Sequence, residues 1–348
     1  MTLAVVTGAS GLLGSNLVVQ LREQGVDVRA LYRSDTTITH LRAVTAGVDF
    51  VQASLDDVDS LERAFAGADV VFHCAAQVSI LPRVTPALVR ANVDGTRHVL
   101  AAFEKAHVPR LVYVSSTVTI GLAGNVDDDD ITLDAAPDAD ENTVWNMREG
   151  GLADGYSITK KDAEDLVLRA VNERGLDAVI ACPAYLFGPM DTKPSSGKLI
   201  LDVAKGMVPG VTPGKNSFVD VRDVARGLIL MWHKGRRGER YILGGHTMRF
   251  DEMLPLIARR AGVKPPSWKI PRIAARVVGA IGDLQAGITG KEPLLTSAAV
   301  AWSFNPRFRV SSQKAIDELG YSISPIDVAI DDALAFFRAQ RMLPARKD

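Results

Sequence analysis

Tyr156 and Lys160 lie four residues apart in the stretch GYSITKKDAED, and the pair could move a proton to or from a substrate. Asp154 is a typical helix N-cap, so we expect Tyr156 in the first helical turn with Lys160 on the same face. A phenol has an ordinary pKa of about 10, and about 4 kcal/mol of phenolate stabilisation would bring it near 7. One ammonium about 4 Å away supplies about that much at an effective dielectric constant near 20. The pair is therefore either an acid catalyst with a cation that tunes it or two side chains that share a helix face, and the rest of the sequence has to decide.

Three glycines, Gly8, Gly11 and Gly14, mark the junction between an apolar run and a helical pattern in AVVTGASGLLGSNLV. A strand, a tight turn and a helix N-terminus leave backbone N–H groups pointing outward, and the helix dipole adds a partial positive charge. Glycines also let the backbone approach a pyrophosphate closely. This turn is therefore predicted to bind the phosphates of a dinucleotide.

The elements that would position these residues alternate between short apolar runs and longer helical patterns. In one helical pattern Leu13, Leu17 and Leu21 form a stripe that ends at Gly25. The alternation predicts an α/β fold with a Rossmann-type, doubly wound parallel sheet. Right-handed crossovers then bring the carboxyl ends of the strands to the edge where ligands bind.

The second half of the chain is richer in loops and, towards its end, mostly helical. We predict an NAD(P)-binding Rossmann domain over residues 1–187 and 218–244. A smaller, mostly helical substrate-binding domain is predicted over residues 188–217 and 245–348.

The composition is that of an ordinary globular protein, with 47% hydrophobic and 23% charged residues. The 40 Lys plus Arg and 41 Asp plus Glu give a net charge of −1, so the overall charge favours neither nucleic acid nor an anionic membrane as a partner. Cys74 and Cys182 lie in apolar runs and are expected to be buried, inert thiols, which fits a cytoplasmic location. The N-terminus lacks the features of a signal peptide, and the apolar stretch RIAARVVGAIGDL is too short and too charged to span a bilayer.

With the preceding Thr7, the spacing Gly-x-x-Gly-x-x-Gly resembles that of the extended short-chain dehydrogenase/reductases, the NAD-dependent epimerase/dehydratase superfamily. The stretches DVVFHCAA, ANVDGTRHVL, ACPAYLFGP and FVDVRDVARG are similar to further segments of that family. Two later stretches, ITGKEPLLT and SSQKAIDELGY, look most like its dihydroflavonol-reductase and hydroxysteroid-dehydrogenase branch. The resemblance covers nearly the whole chain and implies an NAD(P)-dependent oxidoreductase that acts on CH–OH or C=O groups.

The resemblance also implies which residues contact the dinucleotide. The chain departs from the family in one place, because Ser54 and Leu55 follow the third strand where an Asp-Leu pair usually lies near the adenine. No metal site is predicted. The implied cofactor-binding residues are Thr7, Gly8, Ser10, Gly11, Leu12, Leu13, Gly14, Arg33, Ser54, Leu55, Ala75, Ala76, Gln77, Asn92, Ser115, Tyr156, Lys160, Pro183, Ala184, Tyr185 and Leu186.

The end of the second strand bears on the choice between NADP and NAD. Tyr32 stands where an acid would bind the 2′-hydroxyl of NAD, and Arg33 follows it. A 2′-phosphate offers negative charge and three acceptor oxygens, which suit an arginine. We therefore predict NADP, with NAD as the alternative because Asp35 lies two residues later.

In the family, the catalytic serine lies five residues before a glycine that follows the fifth strand. That position is Ser116, before Gly121. The resemblance implies that Ser116 orients the substrate oxygen, that Tyr156 protonates it, and that Lys160 tunes the tyrosine and holds the ribose hydroxyls. The hydride comes from the cofactor.

We expect a reductase of a ketone or aldehyde on a fairly apolar small molecule, or the reverse alcohol oxidation. A sugar-nucleotide epimerase or dehydratase stays open, because Lys193 and Lys198 could bind a pyrophosphate. Dehydration is disfavoured, since Thr117 and Thr119 occupy the positions where a carboxylate pair would be needed. A second alternative is a non-catalytic NADP-binding redox sensor, although such proteins typically lose the tyrosine or the lysine.

The segment 122–153 connects the predicted serine and tyrosine and should border the substrate. Trp145 and Met147 could line the substrate or simply pack this long segment onto the body of the protein. The acidic run NVDDDDITLD at 125–134 is expected to be a solvated loop. Family likeness suggests a homodimer.

Overall fold

The computed structural model describes residues 2–34, 38–123 and 138–345. Asp35 and the acidic run at 125–134 lie outside the described residues. Within them the strands are β1 (Leu3–Thr7), β2 (Asp27–Tyr32), β3 (Val48–Gln52), β4 (Val70–His73), β5 (Arg110–Val114), β6 (Ala178–Pro183), β7 (Tyr185–Phe187), β8 (Lys215–Asp220), β9 (Arg240–Leu243) and β10 (His246–Arg249).

Helices make up most of the rest of the described chain. They are α1 (Leu12–Glu23), α2 (Thr39–Val44), α3 (Val58–Phe65), α4 (Pro86–Leu88), α5 (Gly95–Lys105), α6 (Gly155–Arg174), α7 (Lys198–Ala204), α8 (Val221–Lys234), α9 (Phe250–Ala261), α10 (Arg272–Thr289), α11 (Ser297–Phe304), α12 (Gln313–Leu319) and α13 (Ile326–Ala339). A π-helical segment (Val89–Asp94) joins α4 to α5, and a 3₁₀ turn (Thr117–Thr119) follows β5.

The central sheet has seven strands in the order β3-β2-β1-β4-β5-β6-β9, and every neighbouring pair is parallel. The predicted Rossmann-type α/β fold is confirmed. Strand order reverses between β1 and β4, so a crevice opens at the carboxyl ends of these two strands. The glycine turn and the segment after β4 therefore flank the same crevice.

Successive side chains of the central strands point to opposite faces of the sheet and contribute to two hydrophobic cores, one on each face. Val5 belongs to the core covered by α3, α5 and α6, whereas Val6 belongs to the core covered by α1, α8 and α12. The predicted leucine stripe of α1 is confirmed, since Leu17 and Leu21 are fully buried in the second core. Gly25 follows the helix with a φ of +76°, which glycine adopts at low cost.

A second, three-stranded sheet lies outside the central one. In it β8 pairs parallel with β7 and antiparallel with β10. The rings of Phe187 and Phe218 stack with centroids 5.5 Å apart, and Phe250 meets Phe218 edge-on at 5.8 Å. Together with side chains from α7, α9 and α13, these rings form a third core.

The predicted domain boundaries stay a prediction, but strand pairing crosses them. Strand β7 falls inside the range 1–187 yet belongs to the second sheet, and β8 spans the boundary at 217/218. Helix α12 packs on the central sheet, because Leu319 and Tyr321 lie in its second core. The Tyr321 hydroxyl donates to the Gly244 carbonyl at 2.9 Å, which holds this late segment to the end of β9.

Two further sequence-based expectations can be compared with the described part of the chain. No helix there is both long and apolar enough to cross a membrane.

Both cysteines are free thiols; Cys182 is fully buried, whereas Cys74 is only partly buried. Burial raises the pKa of the Cys74 thiol to about 12 and that of Cys182 well above its ordinary value, so both are protonated at neutral pH.

Two leucines with opposite exposure test this assignment of the core. Leu228 of α8 is fully buried, whereas Leu284 of α10 is 66% exposed. Leu228→Ala is expected to lower the free energy of unfolding by about 2–5 kcal/mol, because it leaves a cavity. Leu284→Ala should change it by less than about 0.5 kcal/mol. Urea denaturation followed by circular dichroism measures both, and equal losses would contradict the assignment.

Candidate active site

The glycine turn after β1 is closed so tightly that side chains cannot enter it. Gly8 has a φ of +68°, and a Cβ there would lie 2.6 Å from the Ala75 nitrogen. A Cβ on Gly14 would lie 2.3 Å from the Gly8 carbonyl oxygen. Gly11 is the N-cap of α1 and supplies no side-chain acceptor for the first N–H groups of the helix. The turn thus has the bare backbone at a helix N-terminus that a pyrophosphate needs.

Of the other residues of this turn that were predicted to bind the cofactor, one lies beside the cleft and two lie in the hydrophobic core. Ser10 is partly exposed beside the turn. Leu12 and Leu13 begin α1 and are largely buried in the second core, so at this site they mainly fix the start of the helix.

A buried chain of hydrogen bonds connects Thr7 to the far wall of the crevice. The Ala75 N–H donates to Thr7 Oγ1 at 3.3 Å, and Thr7 Oγ1 lies 2.8 Å from His73 Nδ1. Thr96 Oγ1 donates to the Asn92 carbonyl, so it accepts from His73 Nε2 at 3.3 Å. Burial lowers the pKa of His73 to about 3, so the ring is neutral and its Nδ1 accepts from Thr7. This chain fixes the position of β1 relative to the segment after β4.

Asn92, predicted to lie near the cofactor, joins that segment to α6. Its Oδ1 accepts from the Gln77 N–H at 2.8 Å. Its Nδ2 donates to the Gln77 carbonyl at 3.0 Å and to Thr159 Oγ1 at 3.1 Å. The amide is thus engaged by protein groups, while Ala76 and Gln77 remain exposed in the crevice.

Helix α6 begins where the sequence predicts. Asp154 is its N-cap and accepts from the Ser157 N–H at 2.7 Å, while Ser157 Oγ accepts from the Asp154 N–H at 2.8 Å. The predicted cap is confirmed, and Tyr156 lies in the first turn with Lys160 one turn later. Trp302 of α11 donates to the second Asp154 oxygen at 3.1 Å, so the late helices also hold the start of α6.

Ser116 and Tyr156 are brought together. Ser116 follows β5 at the carboxyl edge of the sheet, and its hydroxyl lies close enough to the Tyr156 phenol to lower the pKa of that phenol. Burial raises the pKa of Tyr156 to about 12, and the nearby Ser116 hydroxyl opposes that rise only in part. This direction is opposite to the lowering of the Tyr156 pKa towards 7 that the spacing predicts.

The position of Lys160 explains the difference. Its ammonium donates to the Tyr113 hydroxyl at 3.1 Å and to the Val114 carbonyl at 2.8 Å, and it lies 4.8 Å from the centre of the Tyr113 ring. Neither of these two hydrogen bonds of the ammonium goes to Tyr156. Burial lowers the pKa of Lys160 to about 8 and nearby Glu164 opposes the shift, so the side chain is mostly charged at neutral pH.

Glu164, one turn after Lys160, is a site residue that the sequence reasoning missed. It is fully buried, and its Oε2 accepts from Ser115 Oγ and Thr119 Oγ1, each at 2.6 Å. Its Oε1 accepts from Arg240 Nη1 of β9 at 3.3 Å. Ser115 was predicted to contact the cofactor, but its hydroxyl points into this cluster. A carboxylate four residues after Lys160 on one helix face was the available signal.

The predicted residues at the ends of β2 and β3 lie at the same edge of the sheet. Arg33 is exposed directly after β2, and its carbonyl accepts from Gln52 Nε2 at 3.1 Å. Ser54 Oγ accepts from a backbone N–H two residues later, at 3.2 Å. The Leu55 carbonyl accepts from His98 Nδ1 at 2.7 Å.

The predicted segment after β6 is divided between two sheets. Pro183 ends β6, Ala184 is a partly exposed link, and Tyr185 and Leu186 belong to β7. The Tyr185 ring lies 5.5 Å from Phe187 and from Phe218, and burial raises the pKa of its hydroxyl.

Trp145 and Met147 take up different positions. Met147 is fully buried in the first core, so it packs the segment instead of lining a substrate. Trp145 is partly exposed and donates to the Val118 carbonyl at 3.0 Å, next to the turn that carries Ser116.

Glu164→Gln tests whether this carboxylate supports the site. We expect it to lower the free energy of unfolding by about 3 kcal/mol, because removing one charge of a buried pair leaves the other uncompensated. The pKa of Lys160 should fall below about 8, since Glu164 raises it. Urea denaturation and NMR titration of the lysine side chains measure the two effects. The exposed Glu173 of the same helix is the control, and Glu173→Gln should change neither the free energy of unfolding nor the pKa of Lys160. If Glu164→Gln also changes neither quantity, Glu164 does not support the site.

Comparison with known proteins shows which family the chain resembles. The family model described as "NAD dependent epimerase/dehydratase family" matches residues 4–244. The chain is 33% identical over 338 residues to a protein from Synechocystis sp. that carries the name dihydroflavonol 4-reductase, covering 96% of this chain and 94% of that one. It is 32% identical over 322 residues to the 4-hydroxy-2-methyl-3-oxo-4-farnesyl-3,4-dihydroquinoline-1-oxide ketoreductase of Stigmatella aurantiaca, covering 91% of each.

A solved structure gives the same result. The crystal structure of gox2253 aligns with a TM-score of 0.79 at 33% identity, over 99% of this chain and 100% of that one. The match extends beyond the cofactor-binding half to the late helices. The chain therefore belongs to the NAD-dependent epimerase/dehydratase family, the extended short-chain dehydrogenase/reductases, and is an NAD(P)-dependent oxidoreductase.

Proposed function

We propose that the protein is an NADP-dependent reductase of a ketone or aldehyde on a fairly apolar small molecule, with Ser116, Tyr156 and Lys160 as its catalytic residues. One observation carries the proposal: the Ser116 and Tyr156 side chains lie close together at the carboxyl edge of the sheet that also bears the glycine turn. A dinucleotide whose pyrophosphate lay on that turn could extend its nicotinamide along this edge.

Tyr156 is the proton donor in this proposal. When bound, the cofactor supplies a hydride to the carbonyl carbon. The C=O electron pair moves to the oxygen, which takes the phenolic proton. A pKa of about 12 keeps the phenol protonated at neutral pH, so the proton is present when the oxygen needs it. Tyr156 is partly exposed and can recover its proton from water.

Ser116 and Lys160 orient the reacting groups. The Ser116 hydroxyl can donate to the same substrate oxygen and hold it beside the phenol. Lys160 has three N–H donors, and two of them meet Tyr113 and Val114. The third is available to a ribose hydroxyl, and the buried positive charge favours negative charge developing nearby.

Two observations favour an apolar carbonyl substrate. Val78, directly after the crevice residue Gln77, is 51% exposed, so apolar surface follows the crevice wall. The Stigmatella aurantiaca relative is named as a ketoreductase of a farnesyl-bearing compound. The epimerase alternative loses some support, because Lys198 forms an ion pair with Asp202 at 2.5 Å and is less available for a pyrophosphate.

An assay of NADPH oxidation with apolar aldehydes, apolar ketones and sugar nucleotides tests the reaction. We expect turnover with apolar carbonyl compounds, and Tyr156→Phe should lower kcat by at least about 100-fold with little change in NADPH affinity. Tyr241→Phe, in β9 at the edge of the sheet, should leave kcat unchanged. Interconversion of a sugar nucleotide without net NADPH consumption would favour the epimerase. Tight NADPH binding without any turnover would favour a sensor.

Arg33 is proposed to bind the 2′-phosphate of NADP. Arg33→Ala should weaken NADPH binding about 10- to 100-fold, because hydrogen bonds to charged groups contribute about 1.5–3 kcal/mol. NADH binding should change by less than about twofold. The exposed Arg63, near the end of α3, provides a control, and Arg63→Ala should alter neither affinity. Equal losses for NADPH and NADH on titration of the protein fluorescence would contradict the assignment.

A further inference from the structure

Helix α10 is packed with its amphipathic faces reversed. The residues it buries are the small ones Ala275, Gly279, Gly282 and Ala286. All of its large apolar side chains are exposed, namely Ile273, Val277, Val278, Ile281, Leu284 and Ile288. Their exposure runs from 52% to 78%. By contrast, α8 and α13 bury most of their large apolar side chains.

The reversal follows from the spacing of residues on the helix. At about 100° per residue, Ile273, Val277, Ile281, Leu284 and Ile288 fall on one stripe about 80° wide. The small buried residues fall on the opposite side. Glycine permits this contact, since a Cβ on Gly282 would lie 1.9 Å from the Leu295 carbonyl oxygen. Helix α10 therefore packs by its small side against the segment 293–297 and turns its apolar stripe outward.

The surroundings of this stripe are basic. Between residues 262 and 291 the only acidic residue is Asp283, which accepts from the Ser297 N–H at 3.1 Å and so faces α11. Trp268, 55% exposed, precedes the helix. The basic residues of this segment, all exposed, are Lys264, Lys269, Arg272, Arg276 and Lys291. The whole chain has a net charge of −1, so the positive charge is local to this apolar helix.

We propose that α10 docks the protein on an anionic lipid bilayer. An apolar stripe flanked by Lys, Arg and an exposed Trp matches a helix that lies in the plane of a membrane surface, with apolar side chains among the acyl chains and cations at the phosphates. Such a helix rests on the bilayer without crossing it. This agrees with the lack of a helix suited to crossing a membrane in the described chain.

Charge favours a bilayer over a second copy of this chain. A twofold contact through α10 would bring two basic segments together, and like charges across an interface oppose association. An anionic headgroup layer attracts the same segment.

The segment on the inner side of α10 contacts the crevice wall. Glu292, just after α10, accepts from the Ser79 hydroxyl and from the Ile80 N–H at 3.2 Å. Thr296 Oγ1 donates to the Ile80 carbonyl at 2.5 Å. Docking through α10 would therefore place the wall after β4 directly behind the membrane-bound helix. If the proposed function is right, an apolar carbonyl substrate would be drawn from the lipid phase; the docking itself does not depend on the reaction.

Vesicle co-sedimentation without substrate tests the docking. The full-length protein should bind vesicles of phosphatidylglycerol and phosphatidylcholine in equal amounts at least about 10-fold more tightly than pure phosphatidylcholine vesicles. The double variant Ile281→Glu with Leu284→Glu should lose at least about 10-fold in binding. The control carries Val44→Glu and Val328→Glu, at exposed positions of α2 and α13, and should bind like the wild type.

Three results would overturn the proposal. The first is no binding of the wild type to anionic vesicles, and the second is equal binding by wild type and stripe variant. The third is a wild-type dimer in light scattering that the stripe substitutions convert to monomer, because a second copy would then cover the face. Arg272→Ser with Arg276→Ser is a second variant that keeps the apolar stripe, and it should also lose anionic binding. Activity on a water-soluble aldehyde is measured separately and shows whether each variant is folded. If the wild type has no such activity, that result contradicts the proposed reaction but leaves the docking proposal unaffected.

Discussion

The geometry of the cleft depends on one buried carboxylate. A lone ionised carboxylate in the interior costs several kcal/mol, so Glu164 must be surrounded by donors and by opposite charge. Ser115 and Thr119, on either side of Ser116, and Arg240 of β9 supply the donors. Lys160, one turn away on α6, supplies positive charge. The turn that carries Ser116 and the helix that carries Tyr156 therefore share one support and cannot shift independently.

Close approach of backbone segments, allowed by glycine, is the second constraint on this fold. At Gly8 and Gly14 it closes the turn after β1 and leaves bare amides for a pyrophosphate. At Gly155 it lets the start of α6 meet the backbone of Arg83, since a Cβ there would lie 2.2 Å from that carbonyl oxygen. At Gly282 it turns the small side of α10 inward. The same steric freedom thus supports a binding turn, a catalytic helix and an outward apolar stripe.

Net charge says little about local surfaces in this protein. The chain is nearly neutral, with 40 basic and 41 acidic side chains, but several of the acidic side chains are buried in ion pairs inside the fold. Asp220 and Asp223 are buried with arginine partners, and Glu164 is buried with Arg240. The segment around α10 holds almost no such acids, so its lysines and arginines dominate the surface there.

Much of the fold and part of the site could be predicted from the order of residues, because the signals are local. The alternation of apolar runs and helical patterns determines a parallel sheet, the glycine spacing determines the turn, and Asp154 determines where α6 begins. Each depends on neighbours within a few residues. The likeness to the extended short-chain dehydrogenase/reductases rests on motifs of the same local kind.

Tertiary structure alone decided the environments of the side chains, because burial and partners come from distant segments. The spacing on one helix suggested that Lys160 tunes Tyr156. In the structure the Lys160 ammonium instead donates to Tyr113 and Val114, and burial raises the pKa of Tyr156. Tertiary structure also directed Ser115 inward to Glu164. It also turned the stretch RIAARVVGAIGDL, too charged to span a bilayer, into a helix that exposes every large apolar side chain it has. A sequence pattern fixes which residues share a helix face, but only packing determines which face is covered.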